Sequence, residues 1–195
     1  MPDDSARMHR VVVRFAAGAF VIELLLAEGA LRGFSGRGVT DLLHFSQGLP
    51  LSLIAGLIVA AVVAAVSRSF FATFARDLTV ELLVPIFRGL PGRDIAALSM
   101  LPGLGEEVFF RGALQPIIGI APTAIVFGLL HSGFSRRLLP YGIWATIVGG
   151  LLGALYLWTG NLWGSIVAHA VINASGAIWL RRLEASRNDA GTRGG

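Results

Sequence analysis

The sequence predicts an all-α fold, a polytopic transmembrane helical bundle, because three observations are atypical of a soluble domain. Of its 195 residues, 54% are hydrophobic and only 14% are charged, whereas soluble domains carry about 25% charged residues. The mean hydropathy is +0.71. Several apolar runs approach the ~20 residues that cross a bilayer, and together they occupy nearly the whole chain. We therefore expect a single integral membrane domain over 1–195, in contact with the lipid bilayer.

The basic character of the chain does not indicate nucleic-acid binding. Its isoelectric point is about 10.9, but all sixteen basic residues are arginines and most of them flank apolar runs instead of forming one patch. Flanking arginines of this kind set the orientation of membrane helices. The chain has no cysteine, which excludes disulfides, thiol nucleophiles and Cys-ligated metals. His, carboxylate, hydroxyl and amide groups remain for any chemistry.

Apolar runs predict about six spans and one short interfacial helix. The first span covers 11–27 and is followed by a polar, Gly-rich segment, 28–48, that predicts a loop. The second span covers 49–66 without a charge, and residues 78–84 predict a short helix at the membrane interface. The polar tail predicts disorder over 183–195. The remaining spans are predicted at 94–118, 122–134, 138–158 and 162–180.

The arginines predict that both termini are cytoplasmic. Positively charged residues concentrate on the cytoplasmic side of membrane helices. In the six-span topology only Arg32, Arg37 and Arg111 lie away from the side of the N-terminus. The composition, rich in Ala and Gly with Arg as its only basic residue type, indicates a GC-rich bacterium, so we expect a location in the bacterial inner membrane. The thirteen arginines on the N-terminal side are Arg7, Arg10, Arg14, Arg68, Arg76, Arg88, Arg93, Arg136, Arg137, Arg181, Arg182, Arg187 and Arg193.

Three of the predicted spans contain polar residues, which are costly inside a bilayer. At a rise of 1.5 Å per residue, Glu106, His131 and His169 all lie about 12–13.5 Å from the turn that ends or begins their span. We expect polar residues at one depth to face the interior of the bundle, where they can meet. The full set is Glu106, Glu107, Arg111, His131, His169 and Asn173.

The positions of Glu106 and Glu107 relative to Arg111 indicate different roles for the two glutamates. Glu107 and Arg111 are four residues apart, so they share a helix face and can neutralise each other. Glu106 is rotated by about 100° from Glu107 and has no obvious cation. An unpaired, desolvated carboxylate suits general acid or base catalysis. Pro102 predicts a kink that opens space beside it.

The other polar spans carry the hydrogen-bonding groups of the predicted site. His169 and Asn173 are four residues apart, so they project together and can donate hydrogen bonds to an oxygen that develops negative charge. Phe127 precedes His131 by one turn and is expected to hold its ring in place.

Structural roles are the alternative for each of these residues. Glu106 could be a second partner of Arg111, the two histidines could hydrogen-bond neighbouring helices, and Asn173 could be an ordinary packing residue. Glu23, in the first predicted span, is expected to be an interfacial or helix-pairing carboxylate.

Three motifs in chain order resemble those of the CAAX-processing and bacteriocin-processing (CPBP, or Abi) intramembrane endopeptidases. They are Glu106-Glu107-x-x-x-Arg111, Phe127-x-x-x-His131 and His169-x-x-x-Asn173. The resemblance covers 95–180 and implies a motif-bearing catalytic core over 94–180 that hydrolyses a peptide bond. It implies that Glu106 and His131 activate a water while His169 and Asn173 bind the oxyanion. Glu107 and Arg111 are then supporting residues, as is Phe127.

The resemblance favours a glutamate-type mechanism with no required metal. A zinc ion held by Glu106, His131 and His169 is the alternative, because one Glu and two His can leave an open zinc position. The chain has no His-Glu-x-x-His helix, and Glu106 cannot easily act as both ligand and base. The expected substrate is a peptide or protein with a membrane-associated segment. If the chain is not a peptidase, the alternatives are a non-catalytic membrane immunity or scaffolding protein and a proton-coupled transporter.

Overall fold

A computed structural model describes residues 2–43 and 48–193, and the fold is all-helical over these residues, with no strand among them. Each predicted span coincides with a helix, which confirms the all-α class. The first two helices precede a longer connection, and the last four follow one another closely. The six main helices are α1 (Pro2–Ser35), α2 (Leu49–Thr73), α3 (Gly92–Glu106), α4 (Ile120–Ser132), α5 (Leu139–Thr159) and α6 (Leu162–Arg193).

Shorter elements connect these helices. A 3-10 turn, Val39–Leu42, follows α1, and another, Arg136–Leu138, precedes α5. The predicted interfacial helix corresponds to three short helical pieces between α2 and α3. They are Arg76–Leu78, the π-helical Thr79–Leu83, and Val84–Phe87. A π-helix, Glu107–Leu114, continues α3 directly and is called the π segment below; Gln115–Ile118 follows it.

The chain has three candidate membrane-spanning helices among its described residues, and the predicted count of six spans is not confirmed. The candidates, which are long and apolar enough to cross a bilayer, are Leu49–Thr73, Arg136–Thr159 and Leu162–Leu183. The apolar helix α4 has only 13 residues, about 20 Å at 1.5 Å per residue, which is shorter than a ~30 Å hydrocarbon core. The charges of α1 and α3 lower their hydropathy.

Two helices are longer than the sequence predicts. The loop expected from residue 28 is wrong in its first part, because α1 continues to Ser35. An Arg32–Glu28 ion pair of 2.8 Å spans one turn of this extension, and the helix ends just before Gly36, whose φ is +67°. At the other end, α6 continues to Arg193, through most of the segment for which disorder was predicted.

Small residues let the helices approach closely. α1 packs on α3 and the π segment, α2 packs on α6, and α4 packs on α5. A Cβ at Gly56 of α2 would collide with the backbone carbonyl of Gly164 in α6. Beside this crossing, the Ser52 hydroxyl donates to the Asn161 carbonyl at 3.0 Å and accepts from the Gly164 backbone N–H at 2.9 Å. Backbone contact therefore replaces side-chain packing where α2 crosses α6.

The turn before α3 is held by residues from both ends of the chain. His9 Nε2 donates to the Arg88 carbonyl at 2.9 Å, and Arg181 Nη1 donates to the Leu90 carbonyl at 3.2 Å. His9 lies within α1 and is only 7% exposed, although the sequence places it in a tail. These bonds fix the start of α3 relative to α1 and α6.

We predict that Gly56→Val lowers the free energy of unfolding by about 1–3 kcal/mol, because an added side chain overpacks the α2–α6 crossing. Gly29→Val is the matched control, since nothing lies within 4 Å of a Cβ at Gly29, and its effect should stay within about 0.5 kcal/mol. Denaturation of the purified protein in detergent measures both. Equal losses in the two variants would contradict the close approach.

Candidate active site

A cavity of about 420 Å³ lies inside the bundle and contains all the predicted catalytic residues. Its walls are mostly apolar, and every main helix contributes to them. The cavity reaches from the level of Glu106 to Arg68 of α2 and Leu180 of α6, which lie at the arginine-rich end of the helices. The predicted catalytic residues among its lining are Glu106, His131, His169 and Asn173.

Glu107 forms a buried centre of charge with two partners. Arg111 Nη1 lies 2.9 Å from Glu107 Oε1, and the two side chains are 1% and 0% exposed. His169 Nδ1 lies 2.7 Å from the same carboxylate oxygen. The predicted Glu107–Arg111 pair is therefore confirmed, and the sequence missed the third member, His169. Because a carboxylate accepts, His169 Nδ1 carries the proton in this contact.

Arg111 is held by more than its partner carboxylate. Its Nη2 donates to the Gly149 carbonyl at 3.0 Å, and its guanidinium lies 4.7 Å from the centre of the Phe127 ring. A Cβ at Gly149 would stand 3.3 Å from Arg111 Nη2, so a glycine of α5 leaves room for the guanidinium. Together these contacts compensate for much of the cost of burying this charge.

Glu106 faces away from Arg111 and towards both histidines. Its Oε2 lies 3.7 Å from His131 Nε2 and 3.7 Å from His169 Nε2. These separations are too long for direct hydrogen bonds, and Oε2 is buried without a hydrogen-bond partner among the described residues. The predicted meeting of these three side chains is confirmed. Arg111 pairs with Glu107, so the alternative of Glu106 as a second partner of Arg111 finds no support.

His131 is oriented by its own helix. Its Nδ1 donates to the Phe127 carbonyl at 2.8 Å, and the centres of the two rings are 4.2 Å apart. Tyr141 of α5 lies on another side, 5.7 Å from the imidazole centre. With Nδ1 bound in this way, Nε2 is the nitrogen that faces Glu106. The expectation that Phe127 holds the His131 ring is confirmed.

The π segment explains how adjacent glutamates come to serve different neighbours. α3 continues through Pro102 to Glu106, and the π-helical turns follow the acidic residue. The kink predicted at Pro102 stays a prediction. A π-helix has a wider turn than an α-helix, and such turns are frequent at functional sites. Residues 107–114 carry Glu107 and Arg111 into the core, while Glu106 stays at the cavity.

Asn173 lines the same cavity one turn beyond His169 and is half-buried. Its position agrees with the predicted shared face of these two residues. Its role as an oxyanion donor stays a prediction.

Zinc binding by the three predicted ligands stays a prediction. Glu106, His131 and His169 provide suitable ligand types for zinc. Among the residues that the structure describes, however, no group of three His, Cys, Asp or Glu side chains is arranged to hold a metal ion.

Sequence reasoning missed the contribution of the N-terminal helices to the cavity. Val12, Phe15, Ala16, Ala19 and Glu23 of α1 all line it. Val12, Ala16, Ala19 and Glu23 follow one another at spacings of four, three and four residues, which is the pattern of one helix face. This periodicity was the signal that could have placed Glu23 at the site.

Comparison with known proteins supports the relationship indicated by the motifs. Residues 92–175 match the family described as type II CAAX prenyl endopeptidase Rce1-like. An uncharacterized protein of Bacillus subtilis (strain 168), YpbD, is 38% identical over 94 residues, which cover 48% of this chain and 48% of that protein. The matched part thus spans about half the length of this curated relative. No solved structure matches the chain.

We predict that Arg111→Met lowers the free energy of unfolding by about 3–5 kcal/mol, because it leaves the Glu107 carboxylate buried without its cation. Adding Glu107→Gln should recover part of this loss by removing the stranded charge. Arg137→Met is the matched control, because the Arg137–Glu81 pair has the similar length of 2.8 Å but is 59% and 62% exposed.

Removing this exposed pair should cost no more than about 1 kcal/mol. Chemical denaturation in detergent measures all three variants. If Arg111→Met and Arg137→Met proved equally stable, the Glu107–Arg111 pair would not be the structural centre of the bundle.

Proposed function

We propose that the chain is an intramembrane endopeptidase of the glutamate type, on the premise that residues 92–175 match the family described as type II CAAX prenyl endopeptidase Rce1-like. The observation that carries the proposal is the convergence of Glu106 Oε2, His131 Nε2 and His169 Nε2 on one buried point of the cavity. Its reaction is hydrolysis of a peptide bond by an activated water.

The 3.7 Å gaps around Glu106 suit a bridging water. A polar contact longer than about 3.5 Å is one that a water can mediate. In the proposed step, Glu106 accepts a proton from this water while His131 Nε2 accepts a hydrogen bond from its other proton. The water oxygen attacks the peptide carbonyl carbon. Glu106 then gives the proton to the amide nitrogen as the C–N bond breaks, so it acts first as base and then as acid.

His169 and Asn173 are proposed to bind the oxyanion. His169 already donates its Nδ1 proton to Glu107, so donation from Nε2 requires the doubly protonated imidazole. In this form the positive imidazolium faces the developing oxyanion, while Glu107 stays paired with Arg111. Asn173 supplies an amide N–H of the type that stabilises developing negative charge. Glu107 is thus a positioning residue that acts through His169.

The substrate is proposed to be a peptide or protein with a membrane-associated segment. The cavity walls are mostly apolar, and three helices have the length and composition of membrane spans. We further propose a multi-pass location in a bacterial inner membrane with both termini cytoplasmic, supported by the side on which the arginines lie. In this orientation the cavity reaches the cytoplasmic end of the helices, where the substrate enters.

We predict that Glu106→Gln abolishes peptide cleavage, because it keeps the side-chain volume but removes the basic oxygen. The loss should be at least about 100-fold, the lower range for removing general acid–base catalysis. Cleavage is measured by mass spectrometry of membrane proteins from cells that carry the wild type or the variant. Glu81→Gln is the control, because Glu81 is exposed and absent from the cavity lining. Unchanged cleavage in Glu106→Gln would favour a non-catalytic membrane protein.

We predict that chelation leaves activity intact. Glu106 is needed as the base in the proposed mechanism and is therefore not available as a zinc ligand. Dialysis of the purified protein against EDTA should change the rate by less than about twofold, a difference of about 0.4 kcal/mol in the barrier. Loss of activity that is restored by adding zinc would show that a metal takes part.

A further inference from the structure

Glu23 is a second carboxylate at the active-site cavity, and it lies outside the segment that matches the family. Its Oε2 packs against the backbone of α3, because a Cβ at Gly105 would stand 2.5 Å from this oxygen. Gly105 immediately precedes Glu106. α1 therefore brings a negative group next to the proposed catalytic base, from a part of the chain about eighty residues away.

No cation in the described part of the chain pairs with Glu23. Neither a hydrogen bond nor an ion pair connects it to another described residue, and its only electrostatic neighbour there is Glu106, which has the same charge. Arg111 is committed to Glu107. The histidines each direct an unbound Nε2 at Glu106. An isolated carboxylate at this depth is costly, and such residues mark substrate or ion pathways in membrane proteins.

The shape of the cavity beside Glu23 indicates the kind of side chain that Glu23 can bind. Ala16 and Ala19 precede Glu23 on the cavity face of α1, and their short side chains leave room along this wall. Apolar walls that end in a carboxylate suit a long side chain with an aliphatic stem and a cationic head. Lysine and arginine have this construction, and a guanidinium can bind a carboxylate through two hydrogen bonds.

We propose that Glu23 binds a lysine or arginine side chain of the substrate beside the bond that is cleaved. This inference rests on the proposed peptidase function and adds a specificity to it. Because Glu23 packs against the residue before Glu106, the basic residue lies within about two positions of the cleaved bond, given ~3.3–3.6 Å of extended chain per residue. The substrate supplies the cation that Glu23 lacks among the described residues.

Two other roles make different predictions. If Glu23 only shares a proton with Glu106, its replacement shifts the pH dependence for all substrates alike. If Glu23 only stabilises the packing of α1 on α3, its replacement lowers stability without altering the choice among substrates. If Glu23 recognises a basic residue of the substrate, its replacement changes only the choice among substrates.

The test uses the full-length protein in liposomes with synthetic peptides that share one hydrophobic segment. Each peptide carries Arg, Lys, Gln or Glu at one test position. Different peptides place this test position at each of the two residues on either side of the cleaved bond. We expect wild type to cleave the Arg and Lys peptides with a kcat/KM about tenfold above that of the Gln peptide at one of these positions, the effect of one charge-assisted contact. Glu23→Gln should reduce this ratio to near one, and Glu23→Arg should favour the Glu peptide.

Glu28→Gln is the matched control, because Glu28 lies on the same helix, is absent from the cavity lining and pairs with Arg32. It should keep the wild-type ratio, and so should Glu23→Asp, which retains the charge. Cleavage without preference in wild type, or a preference that survives in Glu23→Gln, overturns the role of Glu23 while the peptidase function stands. If wild type cleaves no peptide, or Glu106→Gln cleaves as well as wild type, the peptidase function fails and this inference with it.

Discussion

The contact of Glu107 with Arg111 and His169 is the interaction on which the rest of the site depends. One carboxylate oxygen receives a guanidinium at 2.9 Å and an imidazole N–H at 2.7 Å, and none of these side chains is more than 7% exposed. Charges that are buried together with good partners are tolerated where a single charge is not. The same contact joins the π segment to α6 and turns His169 Nε2 towards Glu106.

The adjacent residues Glu106 and Glu107 lie in different surroundings, and their carboxylates are therefore suited to different roles. Glu107 is neutralised and fixed, so it can orient a histidine. Glu106 lies at the cavity with its Oε2 3.7 Å from the Nε2 of each histidine, a position that suits proton transfer. The wide turn of residues 107–114 accompanies this separation, and the glycine at position 149 leaves room for the guanidinium on the neighbouring helix. The unusual backbone and the proposed chemistry therefore occur at the same place, as is frequent for π-helical turns.

The N-terminal helices supply part of the cavity in which the residues of the three motifs meet. The family match begins at residue 92, yet α1 and α2 supply walls of the cavity, and α1 supplies Glu23. The specificity proposed for Glu23 would therefore arise from a helix outside the matched segment.

The sequence by itself determined the helical class, the segments that become helices, and the residues that meet at the site, because apolar periodicity and the cost of buried charge are local properties. The pairing of Glu107 with Arg111 followed from their four-residue spacing, and the meeting of Glu106 with two histidines followed from equal depth. Only the tertiary structure decided that His169 binds Glu107, that Pro102 lies within a continuing helix and that Glu23 faces the cavity. These depend on the rotation of each helix about its axis and on contacts between distant segments, which spacing along one helix does not specify.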